Sequence, residues 1–121
     1  MKSRLNLVVI RAADLEISRS FYERIGLVFT EHQHGAGPVH LASESEGFVF
    51  EIYPAGQKFT ADTRLGFSVA DVDKLVAELR GLGFRVVTEP GDSEWGRRAV
   101  VCDPDGHRVE LSEVADERIG C

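Results

Sequence analysis

The chain has 121 residues, of which 43% are hydrophobic and 28% charged, and a net charge of −6. These are ordinary globular values and exclude whole-chain disorder. The acid excess argues against a nucleic-acid binder, which needs a basic face to displace phosphate counterions. The length fits one domain with its own core. Two cysteines, Cys102 and Cys121, make no disulfide framework, which points to a reducing, cytoplasmic setting. No stretch approaches the ~20 apolar residues of a membrane span.

The first apolar run, Leu5–Arg11, predicts a strand; it is too short for a secretory segment and lacks a small-residue cleavage site. Asp14 is placed to cap a helix in which Leu15, Ser18, Phe21, Tyr22 and Ile25 recur at helical spacing. Gly26 ends that helix. Strands are expected at Leu27–Glu31, Val39–Ala42 and Phe48–Tyr53, separated by His34-Gly35-Ala36-Gly37-Pro38 and by a turn at Glu44–Gly47.

The same order then recurs. Arg64–Ala70 reads as a strand, Asp71 caps a second helix and Gly83 ends it. Phe84–Thr88, Arg97–Cys102 and His107–Ser112 read as strands, with Asp103-Pro104-Asp105-Gly106 as a turn. Asp14 and Asp71 lie 57 positions apart, as do Gly26 and Gly83, while Glu51 and Glu110 lie 59 apart. The chain is therefore an internal repeat: an α+β fold of two tandem βαβββ modules, about residues 4–53 and 63–114.

Period-two alternation sorts the strand residues by face. Phe48, Phe50 and Ile52 go under the helix, leaving Val49, Glu51 and Tyr53 on the other face. Leu65, Phe67 and Val69 go inward, leaving Arg64, Gly66 and Ser68. Val109 and Leu111 go inward, leaving Arg108, Glu110 and Ser112. The repeat sets Leu7 opposite Arg64, so Leu5, Leu7 and Val9 share the outer set. Exposed apolar area beside such charges points to a ligand. His40 joins as a general base if its strand parity turns it to that face. His32 and His34 read as solvated loop histidines.

The stretches AADLEISRSFYERIGLVF, GFVFEIYP, LGFSVADVDKLVAELRGLGFRV and WGRRAVVCDPDGHRVELSE together resemble the vicinal oxygen chelate superfamily. That group includes glyoxalase I, bleomycin-resistance proteins, fosfomycin-resistance enzymes and extradiol dioxygenases. The resemblance runs from about Leu5 to Val114. It implies a cup-shaped mixed sheet with helices outside and a ligand in the concave face. It also implies a homodimer whose chains complete each other's sites.

Metal-using members take one ligand from the first strand and one from the last strand of each module. Here Glu51 and Glu110 match the last-strand positions, but Leu7 and Arg64 stand at the first-strand ones. Leu has no donor atom and Arg is a permanent cation. The resemblance therefore implies a small-molecule-binding protein with no catalytic metal; any divalent ion would sit near Glu51 and Glu110. Arg64 is expected to supply positive charge between these glutamates. In the family the loop Trp95-Gly96-Arg97 overhangs the ligand, so the ligand-binding set is Leu7, His40, Glu51, Tyr53, Arg64, Trp95, Arg97 and Glu110. The net charge suits a cationic ligand. Two alternatives stand beside sequestration: a metal-dependent lyase or dioxygenase-like enzyme, and a metal-free isomerase or epimerase using Glu51 or Glu110 as proton shuttle.

Overall fold

The structure, a computed structural model, describes residues 3–94 and 96–113. The chain divides into two compact units, residues 1–60 and 61–121. The elements of the first unit are β1 (Leu7–Ala12), α1 (Leu15–Ile25), β2 (Thr30–His32), β3 (His40–Ser45) and β4 (Phe48–Pro54). The second holds β5 (Arg64–Ser68), α2 (Val72–Gly81), β6 (Val86–Ser93), β7 (Gly96–Cys102) and β8 (Arg108–Ser112). Each unit is thus βαβββ with one four-stranded mixed sheet, ordered β1-β4-β3-β2 in the first and β5-β8-β7-β6 in the second. In each, the first strand runs parallel to the last and the other pairs are antiparallel.

The helix ends follow from two capping motifs repeated along the chain. Asp14 Oδ1 accepts from Ile17 N at 3.0 Å, and Asp71 Oδ1 from Lys74 N at 3.0 Å. Each cap satisfies one of the donors a helix N-terminus leaves free. At the other end Gly26 and Gly83 take φ of 119° and 93°. Their N–H groups donate to Glu23 O and Arg80 O, while Leu27 N and Phe84 N donate to Tyr22 O and Leu79 O. This double bond pattern is a Schellman cap. It explains why β2 and β6 begin later than the apolar runs at Leu27 and Phe84 suggest: those residues close the helices.

Two strands run longer than their residue types predict. β3 reaches Ser45, which pairs with Phe48. Only Glu46 and Gly47 remain for the turn, both at positive φ of 50° and 80°, the type I′ geometry that matches strand twist. β6 runs through Pro90 and Gly91 to Ser93. It lies at the edge of its sheet, where a missing ladder N–H is tolerated, and its register with β7 shifts twice.

One face of each sheet packs on its helix. In the first unit Ile10, Phe21, Tyr22, Leu41, Phe50 and Ile52 are buried, and Tyr22 meets Phe50 edge-on at 5.1 Å. In the second, Val72, Val76, Leu79, Ala99, Val101, Val109 and Leu111 are buried. The alternation of β4 and β8 is as expected at Phe50, Ile52, Val109 and Leu111, which turn inward, with the intervening residues on the far face; Phe48, expected under the helix, is instead 36% exposed at the start of β4, beside the turn.

Candidate functional site

The far face of the first sheet is built in rows by strand register. Leu7 pairs with Val49, Val9 with Glu51, and Arg11 with Tyr53. Glu51 in turn pairs with Ala42, and His32 with His40. One row crosses all four strands. The Arg11 guanidinium lies 5.1 Å from the Tyr53 ring centre, Tyr53 stacks on His40 at 4.1 Å, and His40 stacks on His32 at 5.9 Å. The His34 ring adds a fourth aromatic tile 5.2 Å from His40 and 6.2 Å from His32. The next row offers apolar Val9, the half-buried Glu51 carboxylate and small Ala42. Leu7, 48% exposed, and Val49 continue the apolar strip.

His40 is turned to this face, and its residue is 1% exposed. Its Nδ1 lies 3.3 Å from Pro38 O, and its Nε2 lies 3.7 Å from Glu51 Oε2 without a hydrogen-bond partner. Residue types alone leave His32 and His34 in solvent; the hairpin register carries both rings to His40. Arg11 is also new to the site. The signal was present as His32-x-His34 with His40 across a short turn, but reading it requires the β2–β3 register.

The far face of the second sheet has the same rows and different chemistry. Arg64 pairs with Arg108, Gly66 with Glu110, and Ser68 with Ser112. Glu110 bonds Arg98 of β7, not Arg64. The expected bridging role of Arg64 is thereby corrected: Arg64 and Arg98 stand on the two strands flanking β8, each one row from Glu110, and it is Arg98, opposite Ser112, whose guanidinium meets the carboxylate, while Arg64 lies beside Arg108. Three arginines against one carboxylate make this face locally cationic despite the chain's net charge of −6. A cationic ligand is therefore not what this patch favours.

Arg97 is set apart from these groups. It shares strand parity with buried Ala99 and Val101 and reaches helix α2, binding Asp73 through Nε and Nη2 at 2.9 Å each, and Asp92 at 3.1 Å. These bonds hold Arg97 protonated beyond its usual range, and the Arg97 bond holds Asp73 below the usual carboxylate range. Trp95 lies outside the described residues. His107 is fully buried in the turn before β8, where Asp103 Oδ2 accepts its Nδ1–H at 2.8 Å and Asp103 Oδ1 accepts from the backbone of Asp105 and His107. That cluster is turned inward on its own backbone and is structural.

Residues 4–111 match the model of the Glyoxalase/Bleomycin resistance protein/Dioxygenase superfamily. The chain belongs to that superfamily. It is 28% identical to a protein from Synechocystis described as a "Probable lactoylglutathione lyase", over 91% of this chain and 95% of that one. A lactoylglutathione lyase from Arabidopsis thaliana is 30% identical over 86% of this chain, which spans 42% of that enzyme. Among solved structures, the antibiotic-binding protein TnmS3 from Streptomyces superposes with a TM-score of 0.74 at 25% identity, covering 94% of this chain and 98% of its own.

The metal of the superfamily's metal-using members does not fit the matching residues here. Leu7 offers no donor and Arg64 carries a fixed positive charge. Glu110 is already neutralised by Arg98. No reaction step is derived through a metal at those positions.

Proposed function

We propose that the chain binds and withholds a small organic molecule on the far face of its first unit. The observation that carries this is the replacement of both first-strand donors, by Leu7 and Arg64, in a sheet whose far face offers an apolar and aromatic floor. Leu7, Val9 and Val49 give the ligand apolar area, and the exposed part of Tyr53 gives it a flat surface. Glu51 supplies a hydrogen-bond acceptor, and Arg11 holds Tyr53 in place. The antibiotic-binding relative supports this reading. The two lyase relatives support a common scaffold rather than a shared reaction, because activity depends on the site and not on the fold.

The test is a thermal-shift screen of metal-stripped protein against planar aromatic antibiotics, followed by calorimetry on Tyr53→Ala. Binding in the absence of metal, weakened at least tenfold by that change, is the expected result. Metal-stimulated formation of lactoylglutathione, abolished in Glu51→Gln, overturns it. A second reading, metal-free proton transfer by Glu51, draws on the imidazole of His40 beside that carboxylate; ligand consumption without metal selects it.

We also propose a homodimer, since isologous pairing is the commonest soluble assembly. Light scattering at micromolar concentration that finds a monomer refutes it. A cytoplasmic location is the reading we favour for a chain with the buried free thiol of Cys102. Among the described residues no helix is long and apolar enough to cross a membrane.

A further inference from the structure

The middle of β5 carries a glycine that its own backbone does not call for. Gly66 sits between Arg64 and Ser68 on the far face of the second sheet, opposite Glu110. It is not among the glycines at positive φ. A Cβ added there would meet no atom within 4 Å beyond its chain neighbours. An alanine would therefore fit, and glycine inside a strand is less stable than alanine. A strand glycine with no bulge or bend to explain it marks a place where a ligand or another backbone comes close.

The residues beside that gap are cationic. Arg64 and Arg108 stand directly opposite each other on β5 and β8, and both are exposed. Like charges at facing positions repel and destabilise a sheet. Among the described residues neither guanidinium has an ion-pair partner. Glu110 is neutralised by Arg98, so the face stays net positive. Neighbouring strands lie ~4.8 Å apart, close enough for both guanidinium forks to grip one oxyanion. Ser68 and Ser112 pair two rows further along, about 13 Å from the arginines at the backbone, and their hydroxyls can donate or accept.

We propose that the far face of the second unit is a site for a slender organic oxyanion, a carboxylate or a phosphate monoester. Its charged head rests on Arg64 and Arg108. Its body crosses Gly66, where a side chain would otherwise stand, and its far end points to Ser68 and Ser112. The site uses no residue of the first unit. It goes beyond the binding reading above, and either can fail alone, because Tyr53→Ala tests one and changes at Arg64, Gly66 and Arg108 test the other.

The experiment titrates the full-length protein at neutral pH with phenyl phosphate and with 4-hydroxybenzoate, followed by calorimetry. Benzylammonium and 4-hydroxybenzyl alcohol serve as cationic and neutral controls. Saturable binding of at least one anion and of neither control is expected, and the tighter anion assigns the head group. Arg64→Gln and Arg108→Gln should each weaken that binding at least tenfold. Gly66→Val, which fills the gap, should weaken it at least tenfold as well. Circular dichroism confirms that the variants are folded. Gly66→Ala should melt no lower than the parent, since its methyl group meets open space. A lowered melting temperature in Gly66→Ala shows that the glycine serves the fold and overturns the site. So does binding of neither anion, equal binding of a control, or full affinity in Arg64→Gln, Arg108→Gln or a folded Gly66→Val.

Discussion

The two units share a backbone plan and differ on the face that the plan leaves open. Where the first unit pairs Leu7 with Val49 and Arg11 with Tyr53, the second pairs Arg64 with Arg108 and Ser68 with Ser112. Each keeps one glutamate in the middle row, Glu51 or Glu110. The partner on the neighbouring antiparallel strand decides what that glutamate can do. Arg98 neutralises Glu110 with a permanent cation, so that carboxylate is committed. His40 Nε2 stands 3.7 Å from Glu51 and makes no hydrogen bond to it, so that carboxylate remains open to a ligand. A repeat can therefore preserve its core while its two copies present different chemistry on the open face.

The largest expected effects test whether the two cores are equivalent. Ile52 and Leu111 are both fully buried at matching strand positions. Ile52→Ala and Leu111→Ala should each cost about 2–5 kcal/mol in urea unfolding. A loss below about 1 kcal/mol for only one of them would break the equivalence.

The helix caps sharpen the comparison. Asp14→Ala should cost about 1 kcal/mol by loss of the bond to Ile17 N. Asp71→Ala should cost less, because Glu113 Oε2 still accepts from Val72 N at 3.0 Å in the same first turn. Equal losses in denaturant titrations would show that Glu113 gives no backup.

On the far face of the second unit, Arg98→Ala should destabilise by no more than about 1 kcal/mol, since both partners of the ion pair are partly exposed. Glu110→Gln in the same protein should recover most of the loss, because the uncompensated charge is then gone. A double variant no more stable than Arg98→Ala would assign the effect to packing of the arginine stem.

The smallest effect concerns Arg97. Asp73 is held below its usual range, so its contribution is present above the unfolded carboxylate pKa and is lost as pH falls through the lowered folded value. Both groups are solvent-accessible, so the melting-temperature difference between parent and Arg97→Ala should be small at neutral pH, vanish in acid and shrink in molar salt. A difference that persists unchanged in acid would show that Arg97 acts by packing.

Much of the fold was legible in local pattern. The paired aspartate caps, the glycines ending both helices, the alternation of β4 and β8 and the fixed offset between halves depend on residues within a few positions of one another. The superfamily motif follows from the same stretches. Strand starts were less legible, because Leu27 and Phe84 look like strand residues and are spent closing helices. The first-strand departure at Leu7 and Arg64 could be read from the repeat, since the register of β1 with β4 and of β5 with β8 keeps the same pairing.

The site itself was decided across strands. The chain order shows four histidines and several glutamates, but whether His40 faces Glu51 depends on the parity and register of a short strand. A shift of one residue would turn His40 into the core and Leu41 outward. Strand pairing likewise brings His32 to His40 and Arg98 within reach of Glu110, and sends Arg97 to the helix side. Local periodicity specifies which side of a strand is apolar, because burying that side dominates the energy. Which polar groups meet on the other side is set by hydrogen-bonded registry between strands, and that exists only once the sheet has formed.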